Sequence, residues 1–420
     1  MSEEKKVPAI RFKGFTDDWE QRKFGEFFDF MNNNTLSRDE LNYENGAVRN
    51  VHYGDVLIKF DELLDASADV LPYITEVNKA SKAAQDNLIN GDIVIADTAE
   101  DETVGKCTEI TNVNDSIIVA GLHTMPCRPC QKFGCGYLGF YMNAGAYHDQ
   151  LRPLMQGIKV ISVSRSAIAN TMISYPTDIA EQEKIGNFFR NLDNAITLHQ
   201  RKLEKLKIVK KSMLEKMFPK NGAKAPEIRF AGFTDDWEQR KLGDVVSRYE
   251  DPVETPHDGY MRLGIRSHAK GTFHDYVEPG HELETAQMHR VAADKLIFNI
   301  TFAWEHAVAI TDIDDEGMLV SHRFPQFTLS DCLRPEFLKY EILDERFHHH
   351  LWLSSPGGAG RNRVLKIDEA LNYGFSIPSV EEQEKVGKFL LHLDNLITLH
   401  QRKLEKLWTI KKSMLEKMFV

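Results

Sequence analysis

Four cysteines lie close together in the first half of the chain, Cys107, Cys127, Cys130 and Cys135. The spacing of Cys127 and Cys130 is that of a zinc-ligand pair. The second half repeats the pattern of the first with only Cys332 in the corresponding region, so neither half is expected to need metal, and no metal ligands are assigned. His348, His349 and His350 are consecutive in a stretch that reads as helix, where neighbouring side chains point in different directions and cannot chelate from one face; a mostly exposed helix end is expected there. Gly357-Gly358-Ala359-Gly360 lacks the strand-loop-helix context of a dinucleotide site. It reads either as a plain surface turn or as a loop approaching a phosphate or base edge, with Arg361, Asn362 and Arg363 as donors.

Catalytic motifs are missing. The chain has no Asn/Asp-Pro-Pro-Tyr/Phe tetrapeptide of an amino-methyltransferase and no glycine-rich loop placed after a strand for S-adenosylmethionine. A Walker lysine loop and an Asp/Glu-x-Lys motif in a nuclease context are also absent, so no catalytic residue is assigned. The 420 residues suffice for two to three domains, and 42% hydrophobic with 27% charged residues fits a soluble globular protein. No apolar run approaches the ~20 residues of a membrane span, and the start MSEEKKVPAIRF lacks a signal-peptide core. Five cysteines without a secretion signal predict a reducing, cytoplasmic setting. The net charge of -11 sits uneasily with phosphate binding, which is driven by Lys and Arg.

The elements that must position any site are repeats. Gln182 to Phe218 returns as Gln383 to Phe419 with about three quarters of the positions identical. Each copy carries a seam with alternating steps of four and three, the spacing of a coiled coil. In the first copy the seam is Leu192, Ile196, His199, Leu203, Leu206, Lys210, Met213 and Met217; in the second it is Leu393, Ile397, His400, Leu404, Leu407, Lys411, Met414 and Met418. A shorter repeat, IRFKGFTDDWEQRKFG from Ile10 and IRFAGFTDDWEQRKLG from Ile228, is the opening motif of each variable block. Its Thr-Asp-Asp-Trp-Glu run predicts a helix start capped by Thr16 or Asp17, with Trp19 and Trp237 anchored in the core. The joint PKNGAKAP, Pro219 to Pro226, is a short linker.

The variable blocks run from about Glu26 to Tyr175 and from about Asp244 to Ile377. Both predict a turn and strand (Asn90 to Ala96, Ala293 to Asn299), a polar loop, more strands, a helical stretch (Tyr137 to Leu151, Pro335 to Trp352), and a closing loop and strand. The expected fold is α+β, twice, with two similar domains joined by two long antiparallel coiled-coil helices. The expected segments are 1–176, helix 177–220, 221–378 and helix 379–420.

The Tyr-Pro before Glu181-Gln182-x-Lys184-Ile185, then Leu192-Asp193 and a long basic helix, resembles the conserved region of type I restriction-modification specificity subunits. Ile377-Pro378, Glu382-Gln383-x-Lys385-Val386 and Leu393-Asp394 repeat it, and the opening motifs are similar to those at the start of target-recognition domains of that family. The resemblance implies a non-catalytic subunit in which each block reads one half of a bipartite site in double-stranded DNA. It implies that the helices set the spacing and dock two modification subunits, and that restriction subunits join through the complex. No cofactor is expected on this chain; S-adenosylmethionine is expected on the modification subunits, ATP and Mg on the restriction subunit. Much of the phosphate neutralisation would then come from the modification subunits. The alternative is a coiled-coil scaffold that binds proteins and no DNA.

Under the family reading, base contacts come from loops rich in cations, amides, histidines and carboxylates. The candidates in the first block are Lys59, Thr98, Glu100, Lys106, His123, Lys159, Ser164 and Arg165. In the second they are Arg266, His268, Asn299, Trp304, Glu305, His306, His322, Arg323, Arg361, Asn362 and Arg363. For the helices, antiparallel pairing with Leu192 opposite Met418 sets His199 against Lys411 and Lys210 against His400, with the lysine amines extending outward along their stems.

Overall fold

The computed structural model describes residues 7–220, 222–282, 287–357 and 363–420. The chain forms two compact units, Met1–Gln200 with Arg402–Val420, and Arg201–Gln401. The boundary falls inside both long helices, Ile179–Lys216 and Val380–Lys417, so each unit holds one variable block and half of each helix. At ~1.5 Å per residue each helix is about 57 Å long.

In the first unit the central sheet has five strands in the order Phe28–Phe30, Thr124–Pro129, Ile93–Ala96, Cys107–Thr111, Leu63–Asp65. Ile93–Ala96 is buried at every position, as a strand covered on both faces must be. A second sheet of four strands, built on Val48–Val51 and Ile117–Ala120, packs alongside. The second unit has a four-stranded sheet around Lys295–Phe298 and Gln326–Leu329 and a five-stranded sheet that ends on the hairpin Tyr260–Ile265, Thr272–Val277.

Neither Thr-Asp-Asp-Trp-Glu run starts a helix. After Trp19 the chain enters the strand Glu20–Lys23, antiparallel to the closing strand Met172–Tyr175, and Glu238–Lys241 pairs likewise with Gly374–Ile377. The capping pattern is overridden by a distant strand that needs a hydrogen-bonding partner, a tertiary effect local propensity does not contain. Trp19 and Trp237 are buried at 4% and 3% exposure. The two helical stretches also break. Tyr137–Asn143 and Gly145–His148 are separated by extended Ala144. Pro335–Glu341 and Glu345–Leu353 are separated at Asp344, whose side chain caps the Arg346 N–H.

The repeated residues at the start of each long helix lock opening motif, block and helix together. Glu181 accepts both ends of the Arg11 guanidinium at 2.6 and 2.7 Å, and Glu382 accepts Arg229 at 2.7 and 2.8 Å. Gln182 accepts the Gly134 N–H and donates to the Pro176 carbonyl; Gln383 accepts the Arg334 N–H and donates to Pro378 and Cys332. Gly186 and Gly387 occupy the same repeat position. A Cβ on Gly186 would stand 2.3 Å from the Cys135 carbonyl oxygen, and one on Gly387 2.7 Å from the Glu336 Cβ, so each helix lies directly against its block.

Within each unit the two half-helices run antiparallel. In the first, Phe189 stacks on Phe419 while Asp193, further along, holds Lys411. In the second, Lys210 meets Asp394, and Met213, Leu214 and Met217 join Val386 and Leu390 in one core. The opening motif fastens onto the end of the neighbouring helix: the Ile10 N–H donates to the Lys417 carbonyl, and Ile228 to that of Lys216. Phe419 packs on Tyr137 and Tyr141, and Phe218 on Phe337 and Trp237, with each buried ring contributing about 1.5–3 kcal/mol.

The lysine amines of the seam do not extend outward as expected. Lys411 is 6% exposed, and its amine turns inward to Asp193 at 2.8 Å and Glu62 at 3.0 Å. The half-buried Lys210 donates to Asp394 at 2.5 Å. Their partners are aspartates six positions before His199 and His400. A charged lysine amine in a protein interior needs a compensating partner, and the repeated Leu-Asp supplies a carboxylate in each copy.

Candidate nucleic-acid interface

In the first unit several polar loops meet at one end of the central sheet. The Asp97 N–H donates to the His123 carbonyl, Val163 donates to the Asp97 carbonyl, and Thr98–Ala99 pairs with Ile161–Ser162. Exposed His123 has a positive φ of 53°, and its ring lies 3.4 Å from both Asp97 and Thr98 oxygens and against Tyr53. Ser164 caps the helix Arg165–Ala169, and Arg165 reaches Asn33 at 3.4 Å over the Phe30 ring. Thr98, His123, Ser164 and Arg165 are thus brought together; Glu100 and Lys159 are exposed on the loops that follow and precede the paired strands.

Two candidates lie elsewhere and serve the fold. Lys106 donates to the Leu57 and Phe60 carbonyls, and Lys59 to that of Val70, at the far end of the helix Tyr53–Ile58. The sequence reading missed Asn33, Tyr53 and Asp97. The run Asn32-Asn33-Asn34 is a visible signal of a polar loop, and it lines a groove of about 550 Å³ with Lys79 and Lys82.

The second unit gathers its candidates on four loops. The His268 and Ala269 N–H groups at the hairpin tip donate to the Glu305 and His306 carbonyls. Ile300 donates to the Arg323 carbonyl and Leu365 to that of Ile300. These bonds bring together Arg266, His268, Asn299, Glu305, Arg323 and the segment after Arg363. His322 is exposed beside Arg323, whose guanidinium lies 3.4 Å from the Thr301 hydroxyl. Arg363 lies over the Trp352 ring at 4.6 Å, and Arg266 over Phe273 at 5.2 Å. Trp304 donates to the Thr301 carbonyl. His306 is 5% exposed, lies 2.7 Å from the Ile342 carbonyl oxygen and stacks on His348; burial lowers its pKa, and it supports the loops from beneath. Arg361, Asn362 and the Gly358-Ala359-Gly360 part of the glycine run lie outside the described residues.

The metal-like patterns resolve differently. Cys107 and Cys127 are buried, Cys130 sits by Asp29, and Cys135 by the Arg190 guanidinium. His348 and His350 are half-buried and placed against backbone carbonyls, and only His349 is exposed. Among the described residues no group of three or more His, Cys, Asp or Glu is placed to hold a metal ion. None of their helices is long and apolar enough to cross a membrane.

A family model described as the type I restriction modification DNA specificity domain matches residues 16–208 and again 234–408. The chain is 22% identical over 426 residues to the MjaX type I restriction enzyme specificity subunit of Methanocaldococcus jannaschii, covering 95% of this chain and 92% of that one. It is 24% identical over 285 residues to the MjaVIII specificity subunit of the same organism, covering 63% and 65%. A crystal structure of the S subunit of a type I restriction-modification system from M. genitalium shares the fold, with a TM-score of 0.57 at 11% identity over 99% of both chains. With the specificity domain matched twice across most of its length, the chain belongs to the type I restriction-modification DNA specificity family, and it is a specificity subunit that recognises DNA sequence.

Proposed function

We propose that each unit reads one half of a bipartite, gapped site in double-stranded DNA, and that the helix pair sets the gap and docks two modification subunits. The carrying observation is duplication of the frame with divergence of the loops. Arg11–Glu181 and Arg229–Glu382, the glycine contacts and the paired opening and closing strands recur, whereas the loop clusters around His123 and around Glu305 share no side-chain pattern. A fixed frame carrying variable loops is how one scaffold supports different specificities.

In this reading the subunit works in the cytoplasm and does no chemistry itself. S-adenosylmethionine acts on the modification subunits, and ATP with Mg on the restriction subunits that join through the complex. The net charge of -11 makes the isolated chain a weak DNA binder, so much of the phosphate neutralisation falls to those partners. The test replaces residues 26–175 with the block of another specificity subunit and maps methylation in the host. One half of the methylated motif changes and the other stays; a change in both halves overturns the modular reading.

A further inference from the structure

Glu305 is a carboxylate on loops that also carry cationic side chains. The hairpin supplies Arg266 and the His268 imidazole and a neighbouring loop supplies Arg323, and among the described residues none of these side chains pairs with the Glu305 carboxylate. Among the described residues its side chain has one hydrogen-bond partner, the Ser267 hydroxyl, which donates to Oε2 at 2.7 Å. Among the described residues Oε1 has no hydrogen-bond partner, and Glu305 lines a groove of about 380 Å³ whose wall also includes Phe302, 41% exposed.

The backbone beneath is fixed. Glu305 ends a 3-10 turn whose next residue, His306, has a left-handed φ of 63° and a buried ring held at the Ile342 carbonyl. The Glu305 carbonyl also accepts the His268 N–H. A carboxylate held this way gains nothing from phosphates, which repel it and offer no donor.

Base edges in the major groove differ in what they offer an acceptor. Guanine presents only acceptors, thymine an acceptor and a methyl group, and adenine an amine flanked by the N7 acceptor. Cytosine presents its N4 amine with no acceptor beside it on that edge. From this juxtaposition we infer that Glu305, positioned by Ser267, is a specificity-determining residue that accepts a hydrogen bond from the N4 amine of one cytosine in the half-site of the second domain. The inference rests on the proposed half-site reading.

The experiment uses the specificity subunit assembled with its modification subunits, and duplex probes in which each position of both half-sites is varied through the four base pairs. Wild type requires cytosine at one position of one half-site, preferring it about tenfold over thymine there. E305A loses that preference at that position alone and leaves the other half-site unchanged. S267A, which frees the carboxylate without removing it, lowers the same preference several-fold. A wild-type half-site with no required cytosine on either strand overturns the assignment, as does cytosine preference retained in E305A. If E305A abolishes binding altogether, S267A decides, and an unchanged preference in that variant is equally fatal. Wild-type complexes that select no gapped site at all remove the half-site reading itself, and the assignment with it.

Discussion

Arg11 and Glu181 stand 170 positions apart in the chain and meet in a two-pronged ion pair, with the glutamate carboxylate only 1% exposed. Arg229 and Glu382 repeat the pair in the second unit. The hydrogen bond from Arg11 to Glu181 is also the leading reason that the Arg11 pKa is raised. The pair ties the opening motif, which closes the recognition block by strand pairing, to the first turn of the helix that follows the block. R11M leaves a buried carboxylate uncompensated, and the expected loss of unfolding stability is about 3–5 kcal/mol. R11M/E181M recovers much of it. Urea denaturation checks this; an R11M loss below that of an ordinary surface substitution would contradict the clamp.

The two seam lysines should not be equivalent. Lys411 serves Asp193 and Glu62 from a buried position, whereas the Lys210–Asp394 side chains are 23% and 31% exposed. K411M is expected to cost about 3 kcal/mol or more, and K210M about 1 kcal/mol or less. Equal melting-temperature shifts for the two variants would show that burial does not separate them.

Much of this frame was legible in the sequence. The internal repeats marked both long helices, because heptad spacing is a local property. The strand Glu20–Lys23 was not legible, since Thr16-Asp17-Asp18 carries a local capping signal and the deciding partner, Met172–Tyr175, is distant in sequence. The same holds for Lys106 and His306, whose residue types suit base contacts but whose polar atoms are taken up by Leu57, Phe60 and Ile342 carbonyls. Asp193 and Asp394 were visible in the repeated Leu-Asp, but their role as lysine partners depends on helix register, which seam spacing leaves open.

Two buried glutamates predict the pH response. Burial pushes the Glu341 carboxyl up to about 7, with Asp344 adding to it, and burial pushes Glu109 up to about 7 against the Gly136 and Gly139 N–H bonds. The folded chain therefore keeps protons that the unfolded chain loses from its usual 4.5, and stability falls as pH rises from about 4.5 through about 7. E341Q should be more stable than wild type at pH 8, on the order of 3 kcal/mol, with the gain vanishing near pH 4.5. Thermal melts across this range check the sign, and an E341Q variant less stable than wild type at pH 8 would refute it.

The spacing role has its own test. One added helical turn after Gln200 and one after Gln401, where the compact units divide, lengthens each helix by about 5.4 Å. The methylated motif should keep both half-sequences and change the number of bases between them. An unchanged gap would mean that the helices do not set it.

The central claim, that this chain reads a bipartite DNA site for partner subunits, is tested most directly by methylation-sensitive sequencing of host DNA with and without its gene. The account predicts one gapped motif with two defined halves, methylated in the parent and unmethylated in the deletion strain, and restored by the gene in trans. An identical set of methylated motifs in both strains would contradict it.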